Sequence, residues 1–278
     1  MTTKMTPLNQ PQPRPQPKAH VPSHISLPGY TPYVVEERTG RWIASDGLER
    51  RGKTTFAFMA PGPIAVLSND TGTKAIANKF AGHKQILWCP FEVNDDKSVS
   101  QSYHLAQWEG FKKNFNNAVK SRQVRTIIVD TATAAWELIR LARFGKLTQV
   151  MPQHYVTVNA EFQGMFEEAY HARPDLNVIF PHRVKKEYKG SKKDPDKDSW
   201  TGKFERAGYK DIRYVVDVNI RHDYDFQTKE FTIEIVDSRY NFQNAVGVVL
   251  RSGTTDQDTG ETTPDEVDWD VLVSWTQE

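Results

Sequence analysis

Gly47-Leu48-Glu49-Arg50-Arg51-Gly52-Lys53-Thr54-Thr55 follows the short apolar run Trp42-Ile43-Ala44 and precedes a helix-like run with Phe56, Phe58 and Met59. The spacing G-x-x-x-x-G-K-T is that of a phosphate-binding loop. Its backbone N–H groups must wrap a polyphosphate, so Gly47 and Gly52 are needed where chain and ligand come close, and the following helix presents its positive N-terminus. In that reading Lys53 reaches the β- and γ-phosphates and the Thr54 hydroxyl holds a magnesium ion. A Gly-Lys turn on a globular surface would contain the same letters, but it would need neither the strand before nor the helix after. The expected nucleotide-binding set is Gly47 through Thr55.

Outward from this loop the chain alternates buried strands and amphipathic helices. Pro61-Gly62-Pro63 stops the first helix, and Ile64-Ala65-Val66-Leu67 then reads as a buried parallel strand, a continuous apolar run that leads into Ser68-Asn69-Asp70. Ligands of open α/β sheets sit at such strand ends, which places Asp70 towards the nucleotide. Ile86-Leu87-Trp88 reads as a further strand, and Leu105, Trp108, Phe111, Phe115, Ala118 and Val119 fall on one face of a helix. Thr126-Ile127-Ile128-Val129-Asp130-Thr131 is an apolar strand ending in an acid, the form of a Walker B segment, with Asp130 in the magnesium shell. Trp136 to Leu141 and Val158 to Tyr170 mark two more helices. Leu176 to Phe180 is the next core strand, and it ends in Pro181-His182-Arg183. His182 is either a sensor of the γ-phosphate or a surface histidine at a strand exit.

From Arg183 to Lys210 the sequence turns basic and loop-like, with Lys185, Lys186, Lys192 and Lys193 among aromatic residues Tyr188, Trp200 and Phe204. Cations follow a phosphate backbone and rings stack on unpaired bases, so this mixture suits single-stranded nucleic acid; a solvated lysine loop is the plain alternative. Tyr214 to Ile220 and Phe231 to Val236 alternate apolar with polar residues and read as an antiparallel pair.

The ends differ from the middle. Residues 1–29 are rich in Pro and Gln with little to bury, and read as a disordered or polyproline-like arm. Residues 30–250 make the folded domain, and 251–278 an acidic C-terminal segment, either a solubilising tail or a competitor for the basic stretch. The chain has 278 residues, 38% of them hydrophobic, enough for a sizeable core. Its net charge of +1 does not advertise nucleic-acid binding by itself. A single cysteine, Cys89, excludes an intramolecular disulfide and fits a reducing cytosol. No run is long and apolar enough for a membrane span, so no membrane partner is expected.

The order of strand, phosphate loop, helix, strand with acid, helix, Walker B strand, helix, strand with polar end and antiparallel strands resembles the RecA-like ATPase core. Gly47–Thr55, Val66-Leu67-Ser68-Asn69-Asp70-Thr71-Gly72, Ile127–Thr131 and Val178–His182 are similar to the phage-encoded RecA-like ATPases that include the Sak-type single-strand annealing proteins. The resemblance implies an α/β fold, a RecA-like P-loop NTPase core with a mostly parallel sheet and an antiparallel C-terminal extension, with ATP and Mg2+ as cofactors. It implies a cytoplasmic phage protein of the host cell, catalytic roles for Lys53, Asp70 and Asp130, and metal binding by Thr54 and Asp130. Asp70 matches the residue that activates the attacking water. RecA-like proteins usually have Glu there, so the shorter Asp must sit closer to the water or work through a second one. The resemblance further implies a ring or filament in which Arg183, Lys185 or Arg206 serves a neighbour's site. Single-stranded DNA would be bound by Lys185, Lys186, Tyr188, Lys192, Lys193, Trp200 and Phe204, and a single-strand-binding protein is a further expected partner. The sequence leaves two alternatives to a DNA-dependent ATPase: a nucleotide-dependent regulatory or assembly protein, and a small-molecule kinase, for which no arginine-bearing lid is evident.

Overall fold

Strands that are apolar at every position need cover on both faces, whereas strands that alternate need it on one. Both kinds are present, in one sheet. The structure is a computed structural model that describes residues 28, 38–94, 96, 98–145, 151–191, 194–253 and 262–277, with the side chains of 152 and 190–199 excepted. The N-terminal arm apart from residue 28, Lys192, Lys193 and residues 254–261 of the acidic segment lie outside the described residues. The elements below all fall in one unit, Glu37–Glu278.

β1 (Trp42–Asp46), β2 (Ile64–Ser68), β3 (Ile86–Pro90), β4 (Thr126–Asp130) and β5 (Asn177–His182) are joined through α1 (Lys53–Met59), α2 (Thr71–Phe80), α3 (Gln101–Lys120), α4 (Ala132–Phe144) and α5 (Pro152–Ala172). β6 (Val184–Ser191) and β7 (Asp194–Arg206) follow, then β8 (Val218–Asp225), β9 (Glu230–Ser238), α6 (Phe242–Ala245), β10 (Val249–Arg251) and α7 (Trp269–Trp275). The main sheet runs β10-β9-β8-β1-β5-β4-β2-β3. β1 to β5 and β8 are parallel, and β9 and β10 continue the sheet antiparallel. This is the α/β architecture, a mostly parallel sheet with an antiparallel C-terminal extension, that the sequence leads one to expect.

The two strand patterns follow from the layers. In β1, Trp42 and Ala44 join the core under α3, α4 and α5 while Ile43 joins the other core with Phe56 and Phe58; Ile127 and Val129 of β4 are likewise divided from Ile128. Along β8 and β9 only Val218, Ile220, Ile233 and Ile235 enter a core, all on the α1 side, so every second residue can be polar. At about 25 cal/mol per Å2 of apolar surface, burying each such Ile or Phe stabilises the fold by about 1.5–3 kcal/mol.

Four expectations change. α3 buries Trp108, Phe111, Phe115 and Val119, but its first turn buries His104 rather than Leu105, which is 37% exposed; His104 Nε2 lies 2.9 Å from Asn94 O. The stretch after Arg183 is not a loop but the antiparallel β6–β7 hairpin. Tyr214 falls in a 3-10 turn, Lys210–Tyr214, ahead of β8. The segment after residue 250 is not simply a tail, because Trp269 and Leu272 of α7 are buried in the core with Phe56. Sequence signals for α7 were its apolar residues and the Asp268 N-cap, whose side chain accepts from Asp270 N.

Candidate nucleotide-binding site

The strand ends of β1, β2 and β4 and the starts of α1 and α2 surround a cleft of about 580 Å3, within the range of small-molecule sites. Glu49 to Thr55, Asp70, Thr73, Asp130 and Arg183 are among its lining residues. The loop before α1 bends back sharply. Gly52 has φ 84, a left-handed conformation natural to glycine, and Arg50 adopts φ 59. At Gly47 the limit is space, since a Cβ there would stand 2.7 Å from His222 O of β8.

Lys53 Nζ reaches back across the loop and donates to Gly47 O at 2.6 Å and Leu48 O at 2.5 Å. Burial pulls its pKa down, against the opposing fields of Asp130, Asp46, Glu49 and Asp70. Asp130, 1% exposed, accepts from Thr54 Oγ1 at 3.0 Å and Thr73 Oγ1 at 2.6 Å, both on Oδ2. Burial raises its pKa, and the two hydroxyls only partly restore the carboxylate. The strand ends are stitched together by Asn69, whose N–H donates to Asp130 O and whose Oδ1 accepts from Thr131 N; the Asp130–Thr131 peptide is cis. Asp70 caps α2 by accepting from Gly72 N at 2.8 Å through Oδ1.

This site fits a magnesium nucleotide. A buried carboxylate held by two hydroxyls offers hard oxygen ligands, and Lys53 with the loop N–H groups offers donors for phosphate. Among the described residues no group of three or more His, Cys, Asp or Glu is arranged to hold a metal ion by itself, so a cation here would share its coordination with phosphate and water, the common mode for Mg2+.

The remaining sequence candidates separate. Arg183 lines the cleft of its own chain, and its N–H donates to Thr133 Oγ1 at 3.0 Å. Arg206, one of three candidates to reach a neighbour's site, is held inside the subunit: Nε and Nη2 grip Asp46 at 2.7 and 2.9 Å, and Nη2 also donates to Asn219 Oδ1 at 2.8 Å. His182 is not a surface histidine at a strand exit and does not line the cleft. It is fully buried beside β1, neither ring nitrogen makes a hydrogen bond, and burial next to Arg206 holds it neutral. Arg51 turns from the phosphate loop to the β8–β9 turn, its guanidinium 4.7 Å from the Phe226 ring and its Nη1 donating to Tyr224 O at 3.3 Å.

On the hairpin, Lys186 pairs across from Phe204 and Tyr188 from Trp200, which puts all four on one face. Tyr188 and Trp200 are 55% and 48% exposed. Lys186 Nζ lies 5.1 Å from the Trp200 ring, and Trp200 meets Phe204 edge-on. Lys185 is on the opposite face, 3.3 Å from Glu205. Sequence reading missed Thr73, Ile76 and Phe231 of the cleft. Thr73 had a signal, being three residues after Asp70 in the first turn of the helix that leaves β2; Phe231 had none, because only the sheet order brings β9 beside the loop.

The fold and this cleft define a P-loop nucleotide-binding protein of the α/β class. Residues 43–261 match the family described as AAA domain, and the chain belongs to that family of P-loop ATPases. No curated protein matches the sequence. Among solved structures, a crystal structure of the RadB recombinase is similar with a TM-score of 0.45 and 10% identity, over 79% of this chain and 89% of that one. No described helix is long and apolar enough to cross a membrane.

Proposed function

We propose that the chain binds and hydrolyses ATP with Mg2+, binds single-stranded DNA on the β6–β7 hairpin, and acts as a homo-oligomeric ring or filament in annealing or recombination of phage DNA. The observation that carries the nucleotide half is the convergence of Lys53, Thr54, Thr73 and the buried Asp130 on one cleft. Mg2+, when bound, would supply positive charge against the charge of the phosphates. Thr54 and Asp130 are the residues to hold it. Lys53 would exchange its two carbonyl partners for phosphate oxygens. Asp70, with Oδ1 committed to Gly72, would use Oδ2 to orient a water and take its proton. Arg183, which lines the cleft, would meet the terminal phosphate from within its own chain, and exposed Lys185 would then serve a neighbouring subunit.

The DNA half is supported by the aromatic face of the hairpin. Large rings open to solvent beside a cation suit unpaired bases, which stack without sequence preference, and β6 begins one residue beyond Arg183, so strand binding could reach the cleft through a single short connection. The discriminating experiment is ATP turnover measured with and without single-stranded DNA. Stimulation supports the reading. Turnover that ignores DNA, with no DNA retained by the protein, favours a regulatory or assembly ATPase acting on a protein partner; a single-strand-binding protein would then be one partner to assay.

A further inference from the structure

Most of the residues that line the cleft are polar or charged, and its two large apolar side chains stand out against that background. They are Ile76, one turn along α2 from Thr73, and Phe231, at the start of β9. Phe231 shares its strand face with Ile233 and Ile235. Those two are buried in the core on the α1 side. Phe231 lies beyond that cover, 37% exposed, with its ring 3.5 Å from where a Cβ of Gly52 would be. An aromatic ring left open at the mouth of the cleft gives up burial that its neighbours on the same strand retain.

Its position is also fixed rather than incidental. Tyr224, its cross-strand partner, packs against the ring with centroids 4.8 Å apart. Arg51 ties the same turn to the phosphate loop through Tyr224 O and the Phe226 ring, and its Nε lies 3.7 Å from Asp223. The turn that carries Tyr224 and Phe226 is thereby tied to the phosphate loop.

We propose that Phe231, with Ile76 as the second apolar wall, is the subsite for the base of the bound nucleotide, a purine ring stacking on the Phe231 side chain. This rests on the nucleotide-binding reading above. With hydroxyls, carboxylate and lysine gathered at one set of strand ends, the flat apolar part of a nucleotide has these two side chains as its apolar contacts in the cleft.

Binding of MgATP and of magnesium tripolyphosphate, which carries the phosphates without a base, separates the two claims. Phe231→Ala should weaken MgATP about tenfold to a hundredfold and leave tripolyphosphate affinity unchanged, while Phe231→Tyr keeps both. Equal MgATP affinity in Phe231→Ala and the parental protein would overturn the base subsite alone. Loss of tripolyphosphate together with MgATP in Phe231→Ala would overturn it too, because the ring would then be holding the phosphate loop in shape. A parental protein that binds neither ligand removes the nucleotide reading, and the subsite with it.

Discussion

The phosphate cleft and the β6–β7 hairpin both present lysines beside groups that could recognise a polyanion, but they are built in opposite ways. In the cleft the central carboxylate is fixed by other elements. Asp130 of β4 is held by Thr54 of α1 and Thr73 of α2, and the loop itself rests on His222 of β8. On the hairpin the described partners are local: Lys186 with Trp200, Lys185 with Glu205, and Trp200 Nε1 donating to Lys203 O at 3.2 Å. A site that needs atoms placed to a fraction of an ångström draws its rigidity from the packed sheet. A surface that follows a flexible strand needs only charge and rings in rough order. Arg206 belongs to both regions, because it ends β7 and grips Asp46 and Asn219 of the main sheet.

Substitutions should therefore act strongly in the cleft and mildly on the hairpin. Lys53→Ala should lose about 2–5 kcal/mol of MgATP binding, at least roughly thirtyfold, with unfolding by urea unchanged. Retained affinity, measured by calorimetry, would remove the distinction between the two regions at its centre.

Arg206→Met should cost about 3 kcal/mol of stability, since it strands Asp46 and Asn219 in a mostly buried place. Lys185→Ala, which breaks an exposed pair with Glu205, should cost less than about 1 kcal/mol. Similar urea midpoints for the two variants would show that the hairpin root is no better anchored than its outer face.

Asp130→Asn should weaken the magnesium-dependent part of ATP binding by about tenfold to a hundredfold. It should also make the ligand-free protein about 1–3 kcal/mol more stable. Both hydroxyls donate to one oxygen, Oδ2, so an amide oxygen in that place keeps both bonds while the buried charge disappears. A ligand-free melting temperature that falls would contradict this account of Asp130.

On the hairpin, Trp200→Ala should cost about 1–3 kcal/mol of single-stranded DNA binding with the salt dependence unchanged, because stacking releases no counterions. Replacing Lys185 and Lys186 with alanine should instead lower the salt slope by about 0.7 for each phosphate that is no longer neutralised. Affinity and slope that survive both changes would leave the hairpin a solvated one.

Between pH 7 and 5 acid should act on the buried histidines, His182 and His222. His222, buried beside Phe56, is held neutral with its pKa pushed down to about 3, whereas the unfolded chain protonates it near 6.5. Below that value the unfolded state binds a proton that the folded state refuses, so stability is complete above pH 6.5 and falls on acidification towards pH 3. The loss should approach about 1.4 kcal/mol per pH unit for this histidine. Urea unfolding between pH 7 and 5 tests it, and His222→Gln, which cannot titrate, should show a shallower dependence.

The phosphate loop, the buried strands ending in Asp70 and Asp130, and the helix stripes were legible in the chain because each rests on local spacing. A glycine, a lysine and a threonine at fixed offsets, or an apolar run between turns, has the same meaning wherever it is folded. α2 was not read, since it is only ten residues long and opens on Thr-Gly-Thr-Lys, with no large apolar residue before Ile76. The basic stretch gave no sign of being a hairpin either, because exposed strands have no core to pattern against. What the sequence could not contain was which strand lies beside which. The order β10-β9-β8-β1 puts Phe231 over Gly52 and sets His222 beneath the loop, and the end of β7 brings Arg206 to Asp46. These pairings join residues far apart in the chain, and only the closing of the sheet around its two cores decides them.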